Sequence, residues 1–222
     1  MNRALVNERS IGVVVGLSAE AKIVRRLGWR VAIGGGTAGG AEKATADLID
    51  AGVGALVSFG LAGGLDPALR PGMVIVPHSV VLDGVSCPAD PELARRLGGA
   101  TPHVLLAAAQ VATRAATRHR LRETTGAAAL DLESGAVARA ASAHGLPFAV
   151  LRAICDPAER CLPPAALAAL DAHGAIAARR LLVSLAAHPG QLPALLRLAG
   201  DAVAARRALL RRTKRLVRAS AP

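Results

Sequence analysis

Aromatic side chains are almost absent from this chain of 222 residues, which has one Trp, two Phe and no Tyr. Proteins that bind single-stranded nucleic acid stack the bases on aromatic rings, so this composition does not favour such a function. The hydrophobic fraction is nevertheless 52%, and the chain is long enough to bury a core without disulfides or metals. That core must therefore be built from Ala, Val, Leu and Ile.

Cysteines and long apolar runs are also scarce. The chain has three cysteines, Cys87, Cys155 and Cys161. Their odd number and irregular spacing argue against a disulfide framework, and the last two are not spaced as zinc ligands. The apolar run 51–65 is too short and too rich in Gly to cross a bilayer, and the run 181–196 is broken by a Pro-Gly pair. The N-terminal segment lacks the apolar region of a signal peptide. We therefore expect a cytoplasmic protein with reduced thiols and no metal.

Positive charge is concentrated at one end of the chain. The formal net charge is +11, and residues 189–222 hold eight basic residues against the single acid Asp201, which leaves +7 there and +4 on residues 1–188. Apolar residues recur in this tail at helical spacing, with basic residues on the other faces. We therefore predict a body, 1–188, followed by a basic amphipathic helix or helix pair, 189–222.

Short apolar runs alternate with segments of helical spacing along the body. We predict strands at 11–16, 29–33, 55–59, 73–76 (with 80–81 as an extension), 127–130 and 148–154, and helices at 19–27 (capped by Ser18), 41–51, 91–97, 115–124, 134–144 and 164–187. Residues 104–109 fit either a strand or a helix. Continuously apolar strands are typical of a sheet covered on both faces, so the pattern predicts a three-layer α/β domain with a mainly parallel or mixed sheet flanked by helices.

Ligands of such sheets bind at the carboxyl ends of the strands. The informative residues are therefore polar groups just after predicted strands: Glu20, the glycine-rich segment 60–64, and Asp156.

Three segments carry a resemblance to a known family. They are 11–20 with Glu20, 60–76 beginning Gly-Leu-Ala-Gly-Gly-Leu-Asp-Pro, and 131–156 beginning Asp-Leu-Glu-Ser. In this order they resemble the purine nucleoside phosphorylase and methylthioadenosine/adenosylhomocysteine nucleosidase superfamily over residues 11–187, and the turn at Gly34 and Gly36 fits the nucleosidases. The same motifs look most like the hopanoid-associated phosphorylases.

The resemblance implies cleavage of the bond between C1′ of the ribose and N9 of a purine. Asp156 is implied to protonate the base at N7, for which partial burial would have to raise its pKa. Glu133 is implied to hold the ribose hydroxyls and to favour the positive charge that develops on the sugar. Glu20 is implied to lie beside the nucleophile.

The segment after the third strand is predicted to be a loop whose amides, at Gly60, Leu61, Ala62 and Gly63, cradle phosphate or water. Leu61 stands where the nucleosidases and several phosphorylases have Ser, which removes a hydroxyl from the expected phosphate site. Leu132 replaces a frequent Met and keeps an apolar wall. Arg152 is expected either to pair with a carboxylate or to orient the site.

Each acid also has a purely structural interpretation. Asp156 fits a helix cap before Pro157, Glu133 fits a first-turn acid beside a helix dipole, and Glu20 fits a solvated helix residue. Their occurrence together in one motif set favours the catalytic interpretation. The glycines at 34–40 lack the register of a dinucleotide-binding loop, so an NAD site is not expected.

We therefore expect a nucleoside phosphorylase or nucleosidase that releases adenine from adenosylhopane, a lipid-linked nucleoside, with phosphate as co-substrate and no other cofactor. The alternatives are a methylthioadenosine/adenosylhomocysteine nucleosidase and a non-catalytic basic protein that binds membranes or nucleic acid. Homo-oligomerisation is implied by the resemblance, and no nucleic-acid partner is expected. The tail is expected to be a solvated or oligomer-packing helix, with attachment to the inner face of the membrane as the second interpretation.

Overall fold

A computed structural model of the chain describes residues 10–163, 166, 183–185 and 187–219. Its strands are β1 (Ile11–Val15), β2 (Arg30–Ile33), β3 (Ala55–Gly64), β4 (Val74–Ile75), β5 (Pro77–Leu82), β6 (Val85–Pro88), β7 (Thr101–Ala107), β8 (Ala129–Asp131) and β9 (Phe148–Asp156). The helices in these ranges are α1 (Ser18–Val24), α2 (Ala38–Asp50), α3 (Pro91–Arg96), α4 (Ala115–Thr125), α5 (Ser134–Ala143) and α6 (Leu192–Ala219), with short 3₁₀ turns at Arg25–Leu27 and Pro189–Gln191.

The described strands form one mixed sheet in the order β2-β1-β3-β8-β7-β5-β6, and β9 pairs with both β3 and β4. Parallel pairing joins β1 to β2 and β3, β3 to β9, and β7 to β5 and β8. Antiparallel pairing is confined to β3 with β8, β4 with β9, and β5 with β6. The predicted mainly parallel or mixed sheet is therefore confirmed.

Helices cover both faces of this sheet. Successive side chains of a strand point to opposite faces, so Val14 packs in one core cluster with residues of α2 and α5, while Val13 and Val15 pack in a second cluster with residues of α1, α3 and α6. The two clusters are built almost entirely from Ala, Val, Leu and Ile, as the composition requires. The architecture is therefore the predicted three-layer α/β arrangement.

The glycine-rich segment 60–64 is not the loop that the sequence predicts. It continues β3, because β9 pairs with it in parallel as far as the Gly63–Asp156 register and β8 pairs with Gly63 and Gly64 from the other side. Asp156 is correspondingly the last residue of β9 rather than the first residue after it. The segment thus lies in the middle of the sheet between two partner strands.

Other boundaries differ from the prediction in small ways. The ambiguous residues 104–109 lie mostly in strand β7, and β5 is a separate strand rather than an extension of β4. The exposed strand β6 was not predicted, and it follows a turn in which Asp83 has a positive φ of 51°. Ser18 is the first residue of α1 and no side chain caps this helix; instead the Leu17 amide donates to Glu20. The predicted helix 164–187 lies almost wholly outside the described residues.

The basic tail forms a single helix, α6, of 28 residues, which begins just after the predicted boundary at 188. Ala205, Leu209 and Leu216 of this helix are buried in the core cluster shared with α1 and α3. Arg212 donates from Nη1 to the carbonyl oxygens of Leu97 and Gly98, both at 3.2 Å. The second half of α6 is therefore packed onto the body. Within the described ranges, no helix combines the length and the apolar character needed to cross a bilayer.

We predict that Leu209→Ala lowers the free energy of unfolding by about 3 kcal/mol, because Leu209 is fully buried and truncation leaves a cavity. Leu196→Ala on the same helix is the matched control, since Leu196 is 64% exposed and its truncation should cost little. Urea unfolding measures both values. Equal costs for the two variants would contradict the packing of α6 described above.

Candidate active site

Arg152 lies at the centre of a buried polar cluster. It is carried by the middle of β9, opposite Gly60 of β3, and its exposed fraction is 1%. Its Nη2 lies 2.6 Å from Asp131 Oδ2 and 3.6 Å from Glu133 Oε2, and it donates to Ser58 Oγ at 2.7 Å. One guanidinium therefore links strands β3, β8 and β9 with the start of α5.

Asp131 connects this arginine to helix α5. Its Oδ1 accepts the backbone N–H groups of Ser134 at 3.1 Å and Glu133 at 3.3 Å, and its Oδ2 accepts the Ser134 hydroxyl. Asp131 thus satisfies amides that the first turn of the helix leaves without partners. This hydrogen bonding fixes the backbone of Glu133 at the entrance of the helix.

Glu133 is enclosed by glycines. Its Oε1 accepts the Gly36 N–H at 3.3 Å. A Cβ at Gly16 would lie 2.8 Å from Glu133 Oε2, and a Cβ at Gly34 would lie 2.8 Å from the Ala41 backbone and 3.1 Å from Glu133 Oε1. Burial raises the pKa of Glu133 to about 7, with nearby Arg152 opposing the shift. The glycine turn recognised in the sequence therefore serves to bring backbone against this carboxyl group.

Glu20, near the start of α1, faces the same cluster. Its Oε2 accepts the Leu17 N–H at 2.8 Å, and its Oε1 accepts the Leu61 N–H at 3.0 Å. Its side chain is almost fully buried, and this burial raises its pKa, while the charge of Arg152 acts in the opposite direction. Glu20 is therefore not the solvated helix residue of the structural alternative.

The cluster contains more acidic side chains than basic ones. Asp131, Glu133 and Glu20 surround the single guanidinium of Arg152, so full ionisation would leave two uncompensated negative charges among these four residues. Buried like charges disfavour one another, so Asp131 and Glu20 add to the effect of burial in raising the pKa of Glu133, whereas burial alone raises the pKa of Glu20. A ligand that develops positive charge beside these carboxylates would be stabilised.

Asp156 lies at the carboxyl end of β9, opposite Gly63 of β3. Its side chain is buried, and its Oδ2 forms an ion pair with Nη2 of Arg118, whose exposed fraction is 1%. Arg118 also donates to the carbonyl oxygens of Ala112 at 2.8 Å and Pro157 at 2.9 Å. The Cys155 thiol donates to Asp156 Oδ1 at 3.0 Å.

Arg118 is a partner of this acid that the sequence did not reveal. The surroundings of Asp156 are therefore not purely apolar, as the sequence interpretation assumed, but contain a buried guanidinium in direct contact with its carboxyl group. The ion pair also fixes the direction in which the carboxyl group points.

The two groups of side chains have a defined separation along β3. Gly60 lies against Glu20 and Arg152, whereas Gly63 lies against Asp156 and Arg118. Three residues of an extended strand span roughly 10 Å. The carboxylate-rich group and the second acid therefore lie beside positions of β3 that are three residues apart.

The structure brings most of the predicted site residues together. Glu20, Glu133 and Arg152 share one cluster, with Gly60 against it, and Asp156 lies next to Gly63. Two residues predicted to cradle phosphate or water do not have that role. Ala62 packs into the apolar core with α2 and α5, and the Leu61 N–H donates to Glu20 rather than being left for a ligand.

Leu132, between Asp131 and Glu133, is only partly buried, which is compatible with the apolar wall that the sequence predicts.

Sequence reasoning missed Arg118, Ser58, Ser134 and the direct roles of Asp131 and Cys155. Only Asp131 carried a signal, as an acid between a strand and a helix.

Two surface cavities lie away from these residues. One, of about 500 Å³, is lined by residues that include Asp83, Gln110 and Thr125. The other, of about 910 Å³, is lined by residues that include Val85 and Phe148. Neither is lined by any of the buried acids described above. In the ranges that the structure describes, no group of three or more His, Cys, Asp and Glu side chains is arranged to hold a metal ion. The chemically distinctive site is therefore the cluster around Arg152.

We predict that Glu133→Gln makes the protein more stable at pH 8 but not near pH 4.5. A folded pKa of about 7 against an ordinary value of 4.5 means that stability present below pH 4.5 is lost as the pH rises through 7. Gln cannot ionise, so the advantage of the variant should grow to on the order of 3 kcal/mol by pH 8. Urea unfolding across this range measures the difference, with exposed Glu42→Gln as the control that shows none. A variant that is less stable at pH 8 would contradict the assignment.

We predict that Gly60→Ala lowers stability by about 2 kcal/mol, because the added Cβ would lie 2.8 Å from Glu20 Oε1 and closer still to the Arg152 guanidinium. Gly39→Ala in helix α2 is the matched control, since a Cβ there meets nothing within 4 Å and should raise stability by about 0.5 kcal/mol. Thermal unfolding compares the two. If Gly60→Ala is as stable as the control, Gly60 is not the close-contact position that we describe.

A sequence profile of the Phosphorylase superfamily matches residues 102–187. No curated protein matches the chain significantly.

Solved structures with the same fold are numerous. A Helicobacter pylori 5′-methylthioadenosine/S-adenosylhomocysteine nucleosidase mutant with 5′-methylthioadenosine in its active site aligns with a TM-score of 0.66 at 15% identity, over 93% of this chain and 99% of that chain. Futalosine hydrolase of the same organism gives 0.65 and 15% over 92% and 97%. The Colwellia psychrerythraea nucleosidase in complex with adenine gives 0.64 and 18% over 82% and 96%. The chain therefore has the fold of these nucleosidases, and its segment 102–187 has the sequence pattern of the Phosphorylase superfamily.

Proposed function

We propose that this chain is an enzyme that cleaves the N-glycosidic bond of a purine nucleoside. The observation that carries the proposal is the buried excess of carboxylates around Arg152, near Gly60, with Asp156 beside Gly63 three residues farther along β3. The family match and the nucleosidase fold support the same reaction class.

Each end of the site would meet one end of the substrate. As the bond between C1′ and N9 breaks, its electron pair goes to the purine and positive charge develops on the ribose. Glu133 would accept hydrogen bonds from the ribose hydroxyls and stabilise that charge in a site shielded from water. Arg152 and Asp131 would hold Glu133 in place.

Asp156 would act at the purine end. In the proposed mechanism it gives a proton to N7 as negative charge reaches the base. With water as the acceptor, its hydroxyl group would join C1′, and the proton that it releases would restore the one that Asp156 gives to the base. The thiol of Cys155 holds the other carboxyl oxygen, so both oxygens are oriented before substrate arrives.

The geometry supports water as the acceptor. The Leu61 amide, which the sequence assigned to phosphate, is donated to Glu20. Among the described residues, the cation of this cluster is Arg152, and three carboxylates already face it. A phosphate dianion would therefore meet uncompensated negative charge, whereas Glu20 is suitably placed to orient a water molecule.

The finer identity of the substrate rests on the resemblance. The hopanoid-like motifs support adenosylhopane as the nucleoside and a homo-oligomeric enzyme. The same resemblance implies phosphate as acceptor, whereas the negative charge of the cluster favours water, and the dependence of the rate on phosphate decides between them. A methylthioadenosine or adenosylhomocysteine nucleosidase is the second candidate, and the fold of the solved neighbours favours it.

We predict that the protein releases adenine from 5′-methylthioadenosine or from adenosine derivatives with a longer 5′-alkyl group, and that Asp156→Asn lowers kcat by about 100-fold or more, as for loss of a general acid. Chromatographic detection of adenine, with and without phosphate, measures the rate and the acceptor. Asp50→Asn on the exposed side of α2 is the control and should leave the rate unchanged.

The comparison of substrates decides between the two identities. Preference for the long 5′-alkyl group favours the lipid-linked nucleoside, and preference for methylthioadenosine favours the soluble one. Rates that depend on added phosphate would overturn hydrolysis in favour of phosphorolysis. No adenine release from any of these compounds would overturn the enzymatic proposal.

A further inference from the structure

The side of helix α6 that faces away from the body has two chemically different halves. In its first half large apolar residues are exposed: Leu192 at 44%, Leu196 at 64% and Val203 at 43%. In its second half the exposed residues of the same side are mostly basic, with Val217 at 40% exposed beside them. The basic residues are Arg207, Arg211, Lys214 and Arg218. At 3.6 residues per turn these positions fall on one side of the helix, opposite the buried Ala205, Leu209 and Leu216.

This surface is not balanced by acids on the same helix. Asp201 is the only acid of α6, and it forms an ion pair with Arg160 of the body. Arg212 is used to bind the carbonyl oxygens at the end of α3. The four outward basic residues therefore present a single sign of charge next to an exposed apolar stripe.

We propose that this side of α6, from Leu192 to Arg218, binds an anionic lipid surface. The leucine and valine side chains would enter the region between headgroups and acyl chains, and the basic residues would contact the anionic headgroups. The helix would lie parallel to the bilayer plane, with its buried side still packed on the body.

The same surface fits other partners less well. Exposed leucines gain nothing from a nucleic-acid backbone, and α6 has no aromatic residue that could stack a base. A second copy packed in parallel would set the basic half against itself. In antiparallel packing the leucines would instead cover charged groups and remove them from water. An anionic lipid surface would bury the apolar side chains of the first half and pair with the basic side chains of the second half.

The apolar half lies near the carboxyl end of β9, which carries Asp156. In this part of α6, Asp201 is paired with Arg160, four residues after Asp156, and the neighbouring Ala204 packs against Gly72 in the turn before β4. The basic half instead contacts Leu97 and Gly98, which follow α3. If the proposed function holds, a nucleoside with a long apolar 5′ substituent would reach the site from the bilayer at this end. Binding to the lipid surface does not itself depend on the reaction.

Flotation of the full-length protein with vesicles tests the proposal. The probes are vesicles of phosphatidylcholine alone and of phosphatidylcholine mixed with phosphatidylglycerol. We expect binding to the mixed vesicles that weakens with salt, and much weaker binding to the neutral ones.

Two variants separate the halves of the surface, and a third is the control. Replacing Arg207, Arg211, Lys214 and Arg218 by Gln should weaken binding about 100-fold. The pair Leu192→Gln and Leu196→Gln should weaken it about 10-fold or more, without shifting the melting temperature, since both side chains are exposed. The control, Arg114→Gln with Arg120→Gln at exposed positions just before and within α4, should bind as the wild type does.

Several outcomes would overturn the proposal. They are absence of binding to the mixed vesicles, equal loss in the α4 control, or unchanged binding in the leucine pair. Tighter binding to duplex DNA that ignores the leucines would identify a nucleic-acid surface. Dissociation of an oligomer in the leucine pair, with no vesicle binding by the wild type, would identify contact with a second copy.

The failure of this proposal is distinguishable from failure of the proposed reaction. Asp156→Asn should still bind vesicles, and the α6 variants should still release adenine from 5′-methylthioadenosine without vesicles. An inactive protein that binds vesicles leaves the lipid proposal standing, and an active protein that binds none removes it alone.

Discussion

The ionic contacts of one buried arginine organise the centre of this fold. Arg152 has almost no contact with solvent, so its buried charge requires nearby acceptors. Ser58, Asp131 and Glu133 supply them to one nitrogen, Nη2, from β3, from the end of β8 and from the start of α5, while Nε has no hydrogen-bond partner. Removing this cation would leave three buried carboxyl groups without compensation. The sheet and the helix entrance therefore depend on it for stability, while the same contacts hold Glu133 where chemistry is expected.

The charge imbalance around Arg152 connects stability with function. A protein selected only for stability would match the buried charges, yet this cluster contains more carboxylates than cations, and the pKa of Glu133 is raised to about 7 by burial. The excess is tolerable if the ligand supplies the missing positive charge during the reaction, as a ribose does when it loses its base. Asp156, the second acid of the site, is instead ion-paired with its own arginine, Arg118. The site thus has two acids in different electrostatic surroundings, a condition suited to different roles.

Sequence analysis anticipated the layers and the acids because both depend on local signals. Continuous apolar runs predicted the strands, and polar residues after the strands indicated Glu20 and Asp156, whereas Glu133 was implied by the resemblance of the Asp-Leu-Glu-Ser motif. Arg118 escaped because α4 is otherwise polar, and its burial arises only when that helix meets Pro157. The segment 60–64 escaped because glycines seldom favour a strand interior, and here two neighbouring strands impose the extended form. What was missed depends on contacts between residues distant in sequence, which periodicity does not report.

A crystal structure with an unreactive adenosine analogue, carrying a cationic ring nitrogen in place of the ribose C1′, tests the central claim most directly. The account predicts that this nitrogen lies within ion-pair distance of Glu133, in the cluster around Arg152, and that purine N7 lies within hydrogen-bonding distance of Asp156. An analogue bound in the cavity between Val85 and Phe148, with the carboxylate cluster unchanged, would contradict it.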